Sequence, residues 1–100
     1  MSKNEILQKL VKNFEVRGRS HMTIKDYKAK VRLFQVYYDR PSDQLREDEI
    51  NSYLHYLATA KKSNPSAVNT YNSALRFLYW VTLDTTLNYK KLPRMKQNAG

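Results

Sequence analysis

The sequence predicts an all-α fold, a compact four-helix bundle with a basic C-terminal linker tail. Three observations carry the prediction. Apolar residues recur at i, i+3 and i+4 in four separate segments, the spacing of one face of an α-helix. Strand-like alternation is absent, and two glycines and three prolines in 100 residues leave few places where a helix would break. Short polar turns separate the segments, which favours antiparallel neighbours around one modest core.

The first helix is expected from Asn4 to Val16, with Ile6, Leu7, Leu10, Val11 and Phe14 as its inner stripe. Ser2 and Glu5 have capping-box spacing, and Gly18 is a natural C-cap. The second runs from Thr23, whose hydroxyl can cap with Asp26 three residues on, to Tyr38. Its inner residues are Ile24, Tyr27, Val31, Phe34 and Tyr38, and a loop at Asp39–Asp43 with Pro41 follows. The third spans Arg46 to Ala60. Glu47, Asp48 and Glu49 crowd its first turn, where the helix dipole favours negative charge, and Ile50, Tyr53, Leu54 and Leu57 face inward. A basic turn, Lys61-Lys62-Ser63-Asn64-Pro65, leads to Ser66 as the cap of a fourth helix that reaches Leu83. Val68, Tyr71, Leu75, Leu78 and Tyr79 form its inner face. Beyond Leu83 the periodicity dissolves. The expected division is a helical domain over 1–84 and an exposed basic linker over 85–100.

Eighteen Lys and Arg against nine Asp and Glu give a net charge of +9 and a pI near 9.9, in the range of nucleic-acid-binding domains. Residues 1–40 hold ten basic and four acidic side chains, 41–60 hold one and four, and 61–100 hold seven and one. Positive charge therefore flanks an acidic centre, as expected if one surface meets a polyanion and another faces away. No cysteine means no disulfide framework, which suits a reducing compartment. The first residues lack the apolar run of a signal peptide, and no stretch approaches a membrane span. A cytoplasmic location is expected, without membrane contact.

Several residues stand out. Lys25, Lys28 and Arg32 fall at roughly 160°, 100° and 140° around the second helix if Tyr27 is set to 0°, one stripe opposite the core. All three are positive and none has an i,i+4 acid, which suits phosphates; a solvated helix face is the ordinary alternative. Ser66, Asn69, Ser73 and Arg76 share one side of the fourth helix. Asn and Arg match adenine and guanine edges in the major groove, and hydroxyls allow close approach. Lys61 and Lys62 precede that helix, and Lys90, Lys91 and Arg94 sit on the linker, where backbone-tracking contacts would fall. Phe77 and Trp80 lie away from Leu75, so they are either wrapped by a neighbour or form a docking patch.

Chemistry of other kinds finds no support. His21 and His55 are 34 residues apart without cysteine or clustered carboxylates, so no metal site is expected. None of the eight tyrosines has the basic surroundings a phosphoryl-transfer nucleophile needs. No glycine-rich phosphate loop is present. The chain alone is expected to catalyse nothing and to need no cofactor.

The run RGRSHMTIKDYKAKVRLF, with Ser20, Thr23, Tyr27 and Phe34, resembles the start of the second helix in the N-terminal, SAM-like core-binding domain of tyrosine recombinases, the phage-integrase family. LREDEINSYLHYLA is similar to that family's third helix, and SAVNTYNSALRFLYWVTL to its fourth. Within the latter, Ala74-Leu75-Arg76-Phe77-Leu78-Tyr79 most resembles integron-type and transposon-borne integrases. LNYKKLPRMK is similar to the segment leading into the catalytic domain. The resemblance spans about residues 6–96. Arg46 departs from it, since Thr or Ser often caps the third helix in the family.

The resemblance implies that the chemistry belongs to a C-terminal domain with two arginines, a lysine, a histidine and a tyrosine nucleophile, and that this chain stops where that domain should begin. It implies a domain that clamps duplex DNA, with Thr23, Lys25, Lys28, Arg32, Lys61, Lys62, Ser66, Asn69, Ser73, Arg76, Lys90, Lys91 and Arg94 as the DNA-facing set. Its other partners would be its own catalytic domain and neighbouring protomers in a tetramer on DNA, the isolated domain being a monomer. Two other readings stay open: a free-standing helical DNA-binding regulator, and a protein-interaction bundle whose basic surface is incidental.

Overall fold

The structure, a computed structural model, describes residues 1–92, the Tyr89 side chain apart. Four α-helices make the domain: α1 Lys3–Val16, α2 His21–Tyr38, α3 Glu47–Thr59 and α4 Pro65–Phe77. Helix α1 packs on α2, α3 on α4, and α2 on α4. The described residues contain no strand, and the predicted all-α bundle is what forms.

Caps explain the helix boundaries. Ser2 caps α1 as expected: its hydroxyl accepts from Glu5 N–H at 3.1 Å, and Glu5 Oε1 accepts from Ser2 N–H at 3.2 Å. Gly18 ends α1 at φ 69°, where its N–H donates to the Glu15 carbonyl and Arg19 N–H to the Phe14 carbonyl.

Helix α2 begins earlier than expected. Ser20, not Thr23, is the cap, because its hydroxyl accepts from Thr23 N–H at 3.2 Å and the first turn His21–Thr23 is already helical. Helix α4 also starts before Ser66. Asn64 Oδ1 accepts from Ala67 N–H at 2.8 Å, and Pro65, which has no N–H to satisfy, takes the first helical position. Arg46 precedes α3 without a capping side chain of its own. Instead Glu49 reaches back to accept Arg46 N–H at 2.8 Å, half of a capping box that works whatever residue stands at 46.

The core is contiguous. Ile6, Leu10, Phe14, Val31, Phe34, Ile50, Leu54, Leu57, Leu75, Leu78 and Tyr79 are buried in it, with Ile24, Tyr27, Tyr38, Val68 and Tyr71 packed partly against it. Each predicted inner stripe therefore supplies core residues. Tyr53 lies within an aromatic group with Phe34, Tyr37, Tyr56 and Tyr71, ring centres 5.1–6.1 Å from its own, and burial pushes its hydroxyl up to about 12.

A buried polar knot joins α2 to the α2–α3 connection and to the end of α4. Gln35 Oε1 accepts from both Ser42 N–H, at 2.9 Å, and Ser42 Oγ, at 2.8 Å, while its amide donates to the Lys3 carbonyl at 3.3 Å. Tyr79 completes the knot by donating its hydroxyl to the Ser42 carbonyl at 2.6 Å. Every polar atom so enclosed is paired, which is the condition for burying it without loss.

Two expectations about the C-terminal part are corrected. The fourth helix does not run to Leu83 as regular α-helix. It turns into a π segment at Leu78–Thr82, closed by Leu83 N–H on the Leu78 carbonyl at 2.9 Å. Residues 85–92 are not an exposed tail either. Leu87 and Leu92 are only 3% and 6% exposed, and a 3-10 turn at Tyr89–Lys91 packs against α3. Asn88 N–H donates to Glu47 Oε2 at 2.5 Å, and Arg46 donates to the Thr86 carbonyl at 3.2 Å while its Nε meets Glu47 Oε1 at 3.2 Å. Two spaced leucines in a polar stretch carry no period, so sequence patterning misses this anchoring.

Candidate nucleic-acid interface

The second helix presents Lys25, Lys28 and Arg32 as predicted. All three are exposed, and none has an ion-pair partner among the described residues. Lys30 is different: it bonds Asp26 one turn back and lies 5.2 Å from the centre of the Tyr71 ring, tying α2 to α4. The phasing that buries Val31 and Phe34 thus forces the other three cations outward. Three exposed cations without acids hold mobile counter-ions, the state in which a phosphate gains most by displacing them.

On α4 the expected residues are less uniform. Ser66 is exposed in the first turn, and its carbonyl accepts from Thr70 Oγ1 at 3.0 Å. Asn69, Ser73 and Arg76 are half-buried. Arg76 Nε donates to Oδ1 of the buried Asn72 at 2.9 Å, so its guanidinium is oriented by its own helix rather than swinging free. Lys61 and Lys62 are exposed at the α3–α4 turn, with Lys62 in the left-handed region at φ 51°.

The exit segment qualifies the remaining basic residues. Lys90 is exposed, whereas Lys91 Nζ lies 3.9 Å from Asp48 in the acidic first turn of α3. Glu47, 8% exposed, is held below the usual carboxylate range, first by the Asn88 N–H it accepts. At this end of α3, Glu47 thus holds Asn88 and Asp48 faces Lys91, while Glu49 serves the helix start. Arg94 lies outside the described residues.

Phe77 and Trp80 do not form one patch. Phe77 stacks on Phe14 at 4.2 Å with 9° between planes, and Arg17 lies over its ring at 5.8 Å. Trp80, within the π segment, is 70% exposed. Sequence spacing pairs them because a regular helix would place residues three apart on one side.

Thr23 is half-buried beside the cap of α2, its Oγ1 accepting from Ser20 Oγ at 2.9 Å. With Ser73 of α4 it lines a recess of about 190 Å³ whose other walls are Phe14, Arg19, Tyr27 and Phe77. The structure thus brings two predicted residues from different helices to one place. Sequence reasoning misses Arg19 because it sits in a turn outside any helical stripe. Among the described residues no three His, Cys, Asp or Glu converge as metal ligands would, and no helix is long and apolar enough to cross a membrane.

Comparison with known proteins agrees with this architecture. The family described as "Phage integrase, N-terminal SAM-like domain" matches residues 6–89. An integrase/recombinase of Sinorhizobium fredii (strain NBRC 101917 / NGR234), y4qK, is 34% identical over 77 residues, covering 77% of this chain and 25% of that protein. In fold, the chain is similar to the crystal structure of XerA recombinase, with a TM-score of 0.81 and 23% identity over 97% of this chain and 34% of that one. The chain spans about a quarter and a third of the lengths of these two proteins. An all-α bundle in this helix order, matched over residues 6–89, belongs to the phage-integrase N-terminal SAM-like domain family.

Proposed function

We propose that this domain binds duplex DNA as the core-binding part of a site-specific tyrosine recombinase. It clamps one face of the recombination site while a catalytic domain elsewhere in the parent holds the opposite face and does the chemistry. The observation that carries this reading is the exposed Lys25–Lys28–Arg32 stripe without acidic partners. Lys61, Lys62 and Lys90 extend the same charge, while Asn69 and Arg76 supply groups able to read base edges. Phosphate contacts provide most of the affinity, and Thr23, Ser66 and Ser73 allow close approach. Membership of the family supports the recombinase context, and the Ala74–Tyr79 string favours its integron and transposon-borne branch. Trp80 is the candidate contact for the catalytic domain or a neighbouring protomer in a tetramer on DNA.

Fluorescence anisotropy of the domain with a labelled duplex tests this directly. Binding in the micromolar range or weaker, falling steeply as salt rises, is the expected result. Binding absent at low salt, or indifferent to salt, would refute an electrostatic clamp.

A further inference from the structure

The outermost line of α2 has a chemistry that phosphate contact leaves unused. With Tyr27 at 0°, the core-facing Ile24, Tyr27, Val31, Phe34 and Tyr38 spread over roughly 340° to 60°, so the side furthest from the core is near 200°. Met22, Ala29 and Val36 fall there, at roughly 220°, 200° and 180°, with Leu33 at roughly 240°. Met22, Leu33 and Val36 are 80%, 44% and 58% exposed, and Ala29 is exposed with them. From Met22 to Val36 this apolar line runs about 21 Å, at 1.5 Å per residue.

Its border indicates what covers it. Lys25, Lys28 and Arg32 run alongside, exposed and outside the described ion pairs. Val36 is only about 20° and 40° around the helix from Lys25 and Arg32, so a surface that meets these cations meets Val36 too. Asp26, the acid on this side of α2, is bonded to Lys30. A second copy of the chain fits badly, because joining two such faces would press like cations together in a protein of charge +9. A polyanion fits, and on the duplex-binding reading given above that polyanion is DNA.

Groove geometry narrows the contact. A helix about 10–12 Å across fills a major groove about 12 Å wide, so its outermost line reaches base edges and the line beside it reaches phosphates. Here the outermost side chains carry no donor or acceptor. In that groove only thymine offers carbon, its C5-methyl. Against a G·C pair the same side chains would strip water from polar groups without replacing it, which is costly, whereas a methyl gains by leaving water. We propose that Ala29, Leu33 and Val36 read thymine methyl groups in the major groove, while Lys25, Lys28 and Arg32 hold the bordering phosphates. Sequence preference is then shared between α2 and α4.

The test uses the 100-residue chain and two duplexes of one alternating A/T sequence at low salt, one with thymine and one with deoxyuracil in its place. The thymine duplex should bind about three- to five-fold tighter, the effect of one buried methyl. Leu33→Ala and Val36→Ala together should bring the two duplexes to near-equal affinity, with helical circular dichroism retained because both side chains are exposed. Val16→Ala, at an exposed apolar residue on α1, should leave both affinities unchanged. Equal, salt-sensitive binding of the two duplexes by the unaltered chain overturns the methyl reading alone and leaves DNA binding standing. A thymine preference that survives the double change overturns its placement on α2. Self-association in sedimentation, abolished by the double change, would give the face to a second copy and overturn the proposal. No binding to either duplex removes the underlying DNA reading and this proposal with it.

Discussion

Reversing the α2 stripe should separate binding from folding. The change is Lys25→Glu, Lys28→Glu and Arg32→Glu together, each removing two units of charge, so the net charge falls from +9 to +3. All three side chains are exposed and take no part in the described ion pairs, so the core built on Val31 and Phe34 is untouched. Exposed substitutions of this kind cost about 0.5 kcal/mol or less each, and the like-charge pair at positions 28 and 32, one turn apart, only changes sign, so it adds no further repulsion. The fold should survive with a melting temperature lowered by several degrees. Binding should not survive. Each phosphate contact contributes about 0.9 to the slope of log affinity against log salt, which at 0.1 M is about eight-fold in affinity. Three contacts together are worth about 500-fold, and the slope should flatten by about 2.7. Anisotropy over a salt series, with circular dichroism on the same samples, reads both. An unchanged slope would place the DNA face elsewhere, and loss of helical signal would mean that the stripe is not the outward face.

Two further expectations concern the fold. Tyr79→Phe removes the donor to the buried Ser42 carbonyl and should cost about 1–3 kcal/mol, read as a lower urea midpoint at unchanged slope; an unaltered midpoint would show the knot to be dispensable. Glu47 has a folded-state pKa below its ordinary 4.5, so its stabilisation is complete above that value and fades as pH falls through the lower, folded one. Protection of the Asn88 amide, relative to its intrinsic exchange at each pH, should therefore fall on acidification below about pH 4.5, and Glu47→Gln, which keeps an acceptor but cannot titrate, should flatten that acid limb.

The repeat of apolar residues at helical spacing, with almost no breakers, determined the four helices and the faces they bury. Ile6, Leu10, Val31, Phe34, Ile50, Leu54 and Leu75 each occupy the side that periodicity assigned. The same phasing put Lys25, Lys28 and Arg32 outward, because burying one side of an 18-residue helix leaves the opposite side to water. Caps were less legible. Ser20 and Thr23, or Asn64 and Ser66, are chemically equivalent candidates two or three residues apart, and only the backbone hydrogen bonds decide between them.

Tertiary structure alone decided whatever depends on residues distant in sequence. Glu47 and Asn88 are 41 positions apart, and Tyr79 and Ser42 are 37 apart. No local pattern encodes such pairs, since each partner is ordinary in its own segment. The recess draws Phe14, Arg19, Thr23, Tyr27, Ser73 and Phe77 from three helices and a turn, and it exists only once α1, α2 and α4 have packed. Helical periodicity reports which side of a segment avoids water. It carries no information about which other segment covers that side, and the anchored exit, the outward Trp80 and the recess all depend on that second fact.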